Sequence, residues 1–414
     1  MSAVLKTNRT PAEAALIERA EGSGAVADSN RQSALEALRA HGLPSRRVEA
    51  WHYTDLRALL GRRPLEAGAS AGAELLAPLI PNSAVIELGG EAGSNDPLPG
   101  VHVERASEQL GWAEQVNHLD RAFDTVRVLN TALGATGTSV TVAAGATVER
   151  AIELRAAPRA DGSHGFSSVS LGAGANAVIV ERLSPGSQSA LSTAVNALTL
   201  GDGAEILWIV DQEKGEGESH LGQLNVTLGA DSVLKVFVLN AGGAVVRQEV
   251  HARTMGEGAH VMIRGVNLLK AGQHVDVTTS LNHMVPHTTA SEVFRNVVTG
   301  GHGVFQGMIR VAKGAQKTDA KLACNSLLLS DEGDFSAKPE LEIFADDVVC
   351  GHGATAGEIN ADHLFYLMSR GIPEHEARAL LVKAFVDEVV EELEHEAAVE
   401  ALEARIDEWL AVPR

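Results

Sequence analysis

The feature that most constrains the fold is a glycine-rich turn that recurs along the middle of the chain. Each copy precedes a short run of β-branched and apolar residues, such as AVIVERL or SVLKVFVL, and the copies begin at Leu171, Leu200, Leu228 and Met255. These starts are 29, 28 and 27 residues apart, and a fainter copy begins at Ala144. A repeat of this length is typical of a solenoid or a propeller. Because no helix pattern separates the strands, it favours the stacked coils of a parallel β-helix.

The composition fits stacked strands. Hydrophobic residues make up 45% of the 414 residues, yet only 4% are aromatic, and 41 are glycine. Small and β-branched side chains suit tight turns and strands better than a helical bundle. We therefore predict a mainly β protein, with a right-handed parallel β-helix as its core and α-helical regions at both termini. A solenoid leaves two open ends, and we expect the terminal helices to cap them.

Charge and cysteine content argue against several classes of protein. The net charge of −20 disfavours nucleic-acid binding, which needs a basic face. The N-terminus shows no charged-then-apolar leader, and no apolar run approaches the roughly 18 residues of a membrane span. Two cysteines do not make a disulfide framework. We expect a cytoplasmic protein with reduced thiols and no contact with a membrane.

Changes in sequence pattern divide the chain into four predicted regions. An N-terminal helical region covers residues 1–62, where Thr10 and Glu13 form a capping-box pattern around Pro11. A mixed connecting region follows at 63–124. The β-helix core covers 125–357, and a C-terminal helical region covers 358–414.

Two apolar clusters lie in the helical regions. Residues 49–55 contain Trp51 and Tyr53, two of the six Trp and Tyr residues of the chain. We interpret this cluster as a core or docking anchor. In the C-terminal region, apolar residues recur at helical spacing: Leu380, Leu381, Phe385, Val389 and Leu393. This face either packs on neighbouring elements or docks a partner, and the spacing does not decide between them.

Cys350 and His352 form the most distinctive candidate site. They lie two residues apart in a strand-like stretch, so their side chains point to the same face. A thiolate and an imidazole are half of the four ligands that structural zinc and iron–sulfur centres usually take. An isolated Cys-x-His is a weak motif. The pair therefore either packs in the core or belongs to a ligand set that is completed elsewhere, for example by another subunit.

Several stretches match one known family. They are E-x-W-x-YTD at 49–55, NH and PHTTAS within 282–291, GVFQG at 303–307, AQKTDA at 315–320, KPELEIFADD at 338–347 and C-x-HGAT at 350–355. Together they resemble the SufB/SufD family of iron–sulfur cluster assembly proteins. Chain length and the HGATAG sequence at 352–357 are more similar to the SufD branch.

The resemblance implies a function as well as a fold. Family members form a SufB–SufD heterodimer with a parallel β-helix in each subunit, which recruits two copies of the ATPase SufC and serves as a scaffold for a transient iron–sulfur cluster. The residues at Cys350 and His352 are implicated in cluster assembly at the SufB interface. His352 is then an interface ligand, while Cys350 is a ligand or a structural thiol. A reduced flavin in the assembled complex is a further cofactor that the family suggests.

Two further sets of residues gain a role through the resemblance. SufC is engaged by the C-terminal helical region, where the candidate contacts are Leu364, Phe365, Tyr366, Leu380 and Phe385. Cys324 lies where SufB carries a cysteine used in building the cluster, so it is either an auxiliary thiol or a packing residue. His283 and His287 fit the family pattern, and we interpret them as structural or interface residues and not as metal ligands.

Three hypotheses compete for the function. The first is a SufD-type scaffold and not an enzyme, which agrees with the lack of any Gly-Lys dipeptide and hence of a P-loop. The second is a SufB-like or homodimeric scaffold of the same family. The third is a β-helix enzyme that acts on polysaccharides, with Asp346 and Asp347 as its carboxylates. Adjacent residues of a strand face opposite sides, which counts against that pair.

Overall fold

A computed structural model describes residues 9–22, 29–62, 65, 76–90, 98–106, 123–157, 162–186 and 189–411. The helices are α1 (Pro11–Gly22), α2 (Ser29–His41), α3 (Leu56–Gly61), α4 (Thr125–Ala132), α5 (Ala361–Ser369), α6 (Glu374–Glu391) and α7 (Glu396–Ala411), with a short 3₁₀ helix at Glu49–Trp51. None of these helices combines the length and apolar character needed to cross a membrane.

Eighteen strands follow one another along the described chain. They are β1 (Ala84–Leu88), β2 (Val101–Arg105), β3 (Thr136–Val142), β4 (Ile152–Ala156), β5 (His164–Leu171), β6 (Asn176–Leu183), β7 (Leu191–Leu200), β8 (Glu205–Gln212), β9 (Ser219–Leu228), β10 (Val233–Asn240), β11 (Val245–Thr254), β12 (His260–Leu269), β13 (His274–His283), β14 (Thr289–Val298), β15 (Gly301–Val311), β16 (Asp319–Leu328), β17 (Gly333–Ile343) and β18 (Val349–Gly357).

The strands form two nine-stranded sheets that face each other. The first sheet runs β1-β4-β6-β8-β10-β12-β14-β16-β18, and the second runs β17-β15-β13-β11-β9-β7-β5-β3-β2. From β3 onward, successive strands alternate between the sheets, and each pairs in parallel with the strand one coil away. Only β2 and β3 pair antiparallel among the described strands. The predicted parallel β-helix with helices at both termini is confirmed.

The glycine-rich repeat marks a left-handed corner in each coil. At this corner one residue has a positive φ, and the series is Gly145, Gly174, Gly203, Asp231, Gly258, His287 and Lys317. Each corner is bonded to the next coil; the Gly174 N–H, for example, donates to the Asp202 carbonyl at 2.9 Å. Glycine adopts this conformation without steric cost, which explains its recurrence. His287 is thus a corner residue, and its N–H donates to the Gln316 carbonyl.

The main core lies between the two sheets. Inward-facing side chains of each strand, such as Ile179, Trp208, Val236 and Ile263 of the first sheet, are buried there in one continuous cluster. One column of this interior is polar. Asn240 donates to Asn267 and Asn267 donates to Asn296, each at 2.7 Å, so the amides form a ladder along the stack. Such a ladder satisfies buried amides from coil to coil.

The terminal helices cover the outer faces of the sheets. Helices α6 and α7 pack on the first sheet through residues such as Val386 and Leu402, against Ile209 and Phe237. Helices α1 to α4 pack on the second sheet, where Leu191, Val195, Leu221 and Val245 face outward. Strands with two apolar faces need cover on both sides. The prediction that these helices cap the ends of the solenoid is therefore wrong for the described helices.

The N-terminal capping box forms as predicted. The Thr10 N–H donates to Glu13 Oε2 at 2.6 Å, and the Glu13 N–H donates to Thr10 Oγ1 at 3.2 Å. The Glu13 carboxylate also accepts from the Leu43 N–H at 2.9 Å, so it ties the start of α1 to the segment that follows α2. One side chain thus fixes both the helix start and the packing of the N-terminal helices.

Glu292 is a carboxyl group in the interior of the solenoid. It lies on β14 in register with Ile263 and Leu322, whose side chains belong to the main core. Burial raises the pKa of Glu292 to about 7, because the nearby Thr279 hydroxyl and the charge of Arg264 offset only part of the lost hydration. Burial likewise raises the pKa of Glu181 to about 7. Both carboxyls are uncharged in mildly acidic solution.

Glu292→Gln should therefore stabilise the protein at pH 8 and have little effect at pH 5. The carboxyl of Glu292 has a pKa near 4.5 in the unfolded chain and near 7 in the folded protein. The unfolding free energy of the wild type therefore falls as the pH rises from about 4.5 to about 7. The part of this decrease in unfolding free energy that is due to Glu292 is at most about 3 kcal/mol. Urea denaturation at both pH values measures it, with the exposed Glu332→Gln as control. The same pH dependence in Glu292→Gln and in the wild type would contradict the assignment.

Candidate functional site

The solenoid ends at strands β17 and β18. Each has only one hydrogen-bonded neighbour among the described strands, β15 and β16 respectively, so its other edge is unpaired. Three large apolar side chains beside these edges are exposed, namely Ile343, Phe344 and Val349. A long, unpaired edge with exposed apolar residues is a surface on which another chain can pair. The sequence pattern ends the predicted core at 357, but it does not show that these strand edges are unpaired.

Cys350 and His352 lie on β18 at this end. Cys350 is in register with Ala320 and His352 with Leu322, and both neighbours face the core between the sheets. The two side chains therefore point the same way, along the interior face of the last coil. His352 is exposed and Cys350 is half-buried. They mark the point where the interior of the solenoid meets the surface.

The local environment keeps the Cys350 thiol protonated. Partial burial raises its pKa, a hydrogen bond involving the Ala320 backbone lowers it, and the nearby Asp319 carboxylate raises it again. The thiolate is the form that binds a metal. Because its pKa is raised, the Cys350 thiol forms the thiolate less readily at neutral pH than a free cysteine does, and a cation placed beside it would favour the thiolate.

Cys324 has a different environment, although it faces the same interior. It is fully buried on β16, where the Asn296 side-chain N–H donates to its sulfur at 3.3 Å. Burial raises the pKa of this thiol to about 12. Cys324 is in register with Ala354, four residues along the strand from Cys350 and so about 13 Å further along the coil. The structure does not bring the two thiols together.

The described residues do not provide a complete metal site. No group of three or more His, Cys, Asp or Glu side chains within the described part of the chain is arranged to hold an ion. His283 Nδ1 is hydrogen-bonded to Thr288 Oγ1 at 2.7 Å, and Asp347 is paired with Lys317. Cys350 and His352 therefore do not form a complete metal site with other described residues.

The candidate partner-binding residues divide into two groups. Helix α5 buries none of its residues; Phe365 is 73% exposed, Tyr366 56%, and Leu364 is half-buried. Leu380 on α6 is 50% exposed. Phe385 is half-buried instead, because it packs with the cluster under α6 and lies 5.0 Å from the Arg295 guanidinium. The exposed members are available to another protein.

The two thiols should differ sharply in reactivity. In the native protein a maleimide reagent should modify one thiol per chain, at Cys350, and more slowly than a free cysteine at pH 7 because the pKa is raised. Cys324 should react only after denaturation. Cys350→Ser should remove the native reaction and Cys324→Ser should preserve it. Two native thiols reacting at equal rates would contradict the assignment.

Comparison with known proteins agrees with this architecture. The family model for the SUF system FeS cluster assembly SufBD core domain matches residues 155–385, more than half of the chain. The iron–sulfur cluster assembly protein SufD of Escherichia coli is 26% identical over 404 residues, which cover 94% of this chain and 95% of that protein. A SufBD family protein of Synechocystis is 26% identical over 413 residues, covering 92% of this chain and 91% of the relative. A SufBD family protein of Mycobacterium leprae is 29% identical over 216 residues, 50% of this chain and 55% of the relative. This chain belongs to the SufBD family of the SUF iron–sulfur cluster assembly system.

Proposed function

We propose that this chain is a SufD-type scaffold subunit of a cytoplasmic complex, and that it pairs with a SufB-type subunit at the open end of its solenoid. The observation that carries the proposal is the position of Cys350 and His352, two soft donors on the uncovered last coil. The strand edges beside them offer backbone groups for pairing. The cluster is the cargo of this site and not a resident cofactor.

An incomplete ligand set suits a scaffold that must release its product. Two donors from this chain hold an iron ion or a nascent cluster weakly, and the partner and sulfide supply the remaining ligands. His352, the more exposed donor, is the interface ligand. Cys350 becomes a ligand once a nearby cation stabilises its thiolate, and otherwise supports the end of the strand.

Helices α5 and α6 form the proposed docking surface for a SufC-type ATPase. Phe365 and Tyr366 are exposed on a helix none of whose residues is fully buried, and Leu380 is exposed on the next helix. Aromatic side chains with such exposure are typical anchors of protein interfaces. ATP hydrolysis then takes place in the partner, and the reduced flavin that the family suggests would belong to the assembled complex.

A homodimer is the alternative that the geometry also accommodates. Two copies joined at their last coils would bring two Cys350 and two His352 side chains to one interface, which makes four donors. The composition of the complex distinguishes the two. Co-purification of this chain with SufC but without a SufB-type subunit, on a complex that carries a cluster, favours the homodimer over the SufD-type assignment.

His352→Ala should leave folding intact but impair cluster assembly. The side chain is exposed, so its loss costs little stability, while the complex loses a ligand. Iron and sulfide content of the reconstituted complex should fall several-fold, with an unchanged thermal midpoint. The matched control is His102→Ala, an exposed histidine on β2 at the other end of the solenoid. Normal iron and sulfide on the His352→Ala complex would count against the role of His352.

Replacing Phe365 and Tyr366 together by alanine should weaken ATPase docking. Each exposed aromatic anchor contributes about 1–2 kcal/mol to such an interface, so the Kd should rise at least about tenfold. Titration calorimetry with a SufC-type ATPase measures the change. Met255→Ala, which removes an exposed apolar side chain at a solenoid corner, should bind as the wild type does. An unaltered Kd in the double variant would exclude α5 as the docking helix.

A further inference from the structure

Residues 49–54, here called the strap, run across the outer face of the second sheet. The strap includes the 3₁₀ helix at Glu49–Trp51 and lies between α2 and α3 in the chain. Trp51 is buried and stacks on the Arg247 guanidinium of β11, which lies 4.1 Å from the centre of its ring. Trp51 is therefore a core residue, which is one of the two interpretations that the sequence left open for this cluster.

The strap is attached to three strands of the second sheet. Beyond Trp51, the Thr54 hydroxyl donates to Asp276 of β13 and lies 2.9 Å from Nε2 of His274. At the other end of the strap, Glu49 Oε1 lies 2.5 Å from Nζ of Lys338, which is on β17. The strap thus reaches from the middle of the sheet to its last strand.

The edge strand β17 is held by its pairing with β15 and by the strap. β17 is paired on one side only among the described strands, with β15. It also contains Pro339, which has no N–H to donate to a neighbour. Lys338 directly precedes this proline, and its ammonium lies between Glu49 and Glu340, at 2.5 and 3.3 Å. The ion pair therefore holds β17 beside this proline, in the edge strand of the sheet.

The strap also borders a groove at this edge. A cavity of about 430 Å³ lies between Glu49 and Ala50 on one side and outward side chains of β13, β15 and β17, including Met308 and Glu342, on the other. A chain that pairs with the free edge of β17 passes beside this groove. The strap and the edge strand consequently form one continuous surface.

We infer that the strap braces β17 for pairing with the partner subunit, so that Glu49 and Lys338 are positioning residues of the subunit interface. The inference rests on the proposed pairing at the open end. Pairing requires an edge strand that is already extended, because ordering it at the moment of binding reduces affinity. The N-terminal region thereby contributes to assembly through contacts that lie within this chain.

The test compares Lys338→Met and Lys338→Arg in the full chain. Lys338→Met should raise the Kd for a SufB-type subunit by up to about fivefold, because a partly exposed ion pair contributes at most about 1 kcal/mol. Lys338→Arg retains the ion pair and should bind as the wild type does. Lys321→Met is the matched control, because that lysine is an exposed cation of β16 that pairs with Asp319 and has no contact with the strap. In the absence of a partner subunit, the β17 amides should exchange hydrogen faster in Lys338→Met than in the wild type, and neither Lys338→Arg nor Lys321→Met should show this increase.

The outcomes separate the inference from the proposed function. Equal affinities of wild type and Lys338→Met for the SufB-type subunit would contradict the role of the strap without contradicting the pairing of the two subunits. A Lys338→Arg variant that binds as weakly as Lys338→Met would do the same. An equal loss in Lys321→Met would indicate general charge attraction and would also contradict the role of the strap. If the wild type does not bind a SufB-type subunit, the proposed pairing fails. In that case unchanged exchange of β17 amides in Lys338→Met overturns the brace, and faster exchange supports it.

Discussion

The backbone hydrogen bonds between coils are the interaction on which the rest of the structure depends. Each strand from β3 to β16 has a parallel neighbour on at least one side that continues the stack, and the corner residues carry the ladder around the turn. Each added coil again presents unpaired backbone groups, so the ladder can always be extended by a further strand. The last strands, β17 and β18, must therefore leave one row of backbone donors and acceptors to water or to another chain. Because the described helices cover the faces, this edge is where we place the partner.

Position in the stack decides the chemistry of the two cysteines. Cys324 and Cys350 face the same interior from neighbouring strands of one sheet. Cys324 is covered by the next coil, and burial raises the pKa of its thiol to about 12. Cys350 is on the last coil, where it is only half-buried, and the imidazole of His352 is exposed on the same face of the strand. A thiol at this position can become a ligand, whereas the same residue one coil inward is a packing group.

The sequence predicts the coils of the β-helix but not where the helices pack on them. Glycines at left-handed corners, such as Gly174 and Gly203, recur visibly because few other residues tolerate that conformation. The shared face of Cys350 and His352 follows from the two-residue period of a strand. The placement of the helices could not be predicted, because an outward valine such as Val180 resembles an inward one in sequence. The asparagine ladder could not be predicted either, because the strand register that brings its members together joins residues 27 and 29 positions apart in the sequence.

The connection between the last strand and the first C-terminal helix links the two proposed partner sites. Only residues 358–360 separate β18 from α5, and Asn360 caps the helix by accepting from the N–H groups of Asp362 and His363 at 2.9 and 3.0 Å. A short, capped junction has few rotatable backbone torsions, so a displacement of α5 is passed on to β18. We therefore expect a protein docked on α5 to act on the strand that carries Cys350 and His352. The proposed docking helix α5 and the proposed donors on β18 therefore lie on consecutive elements of the chain.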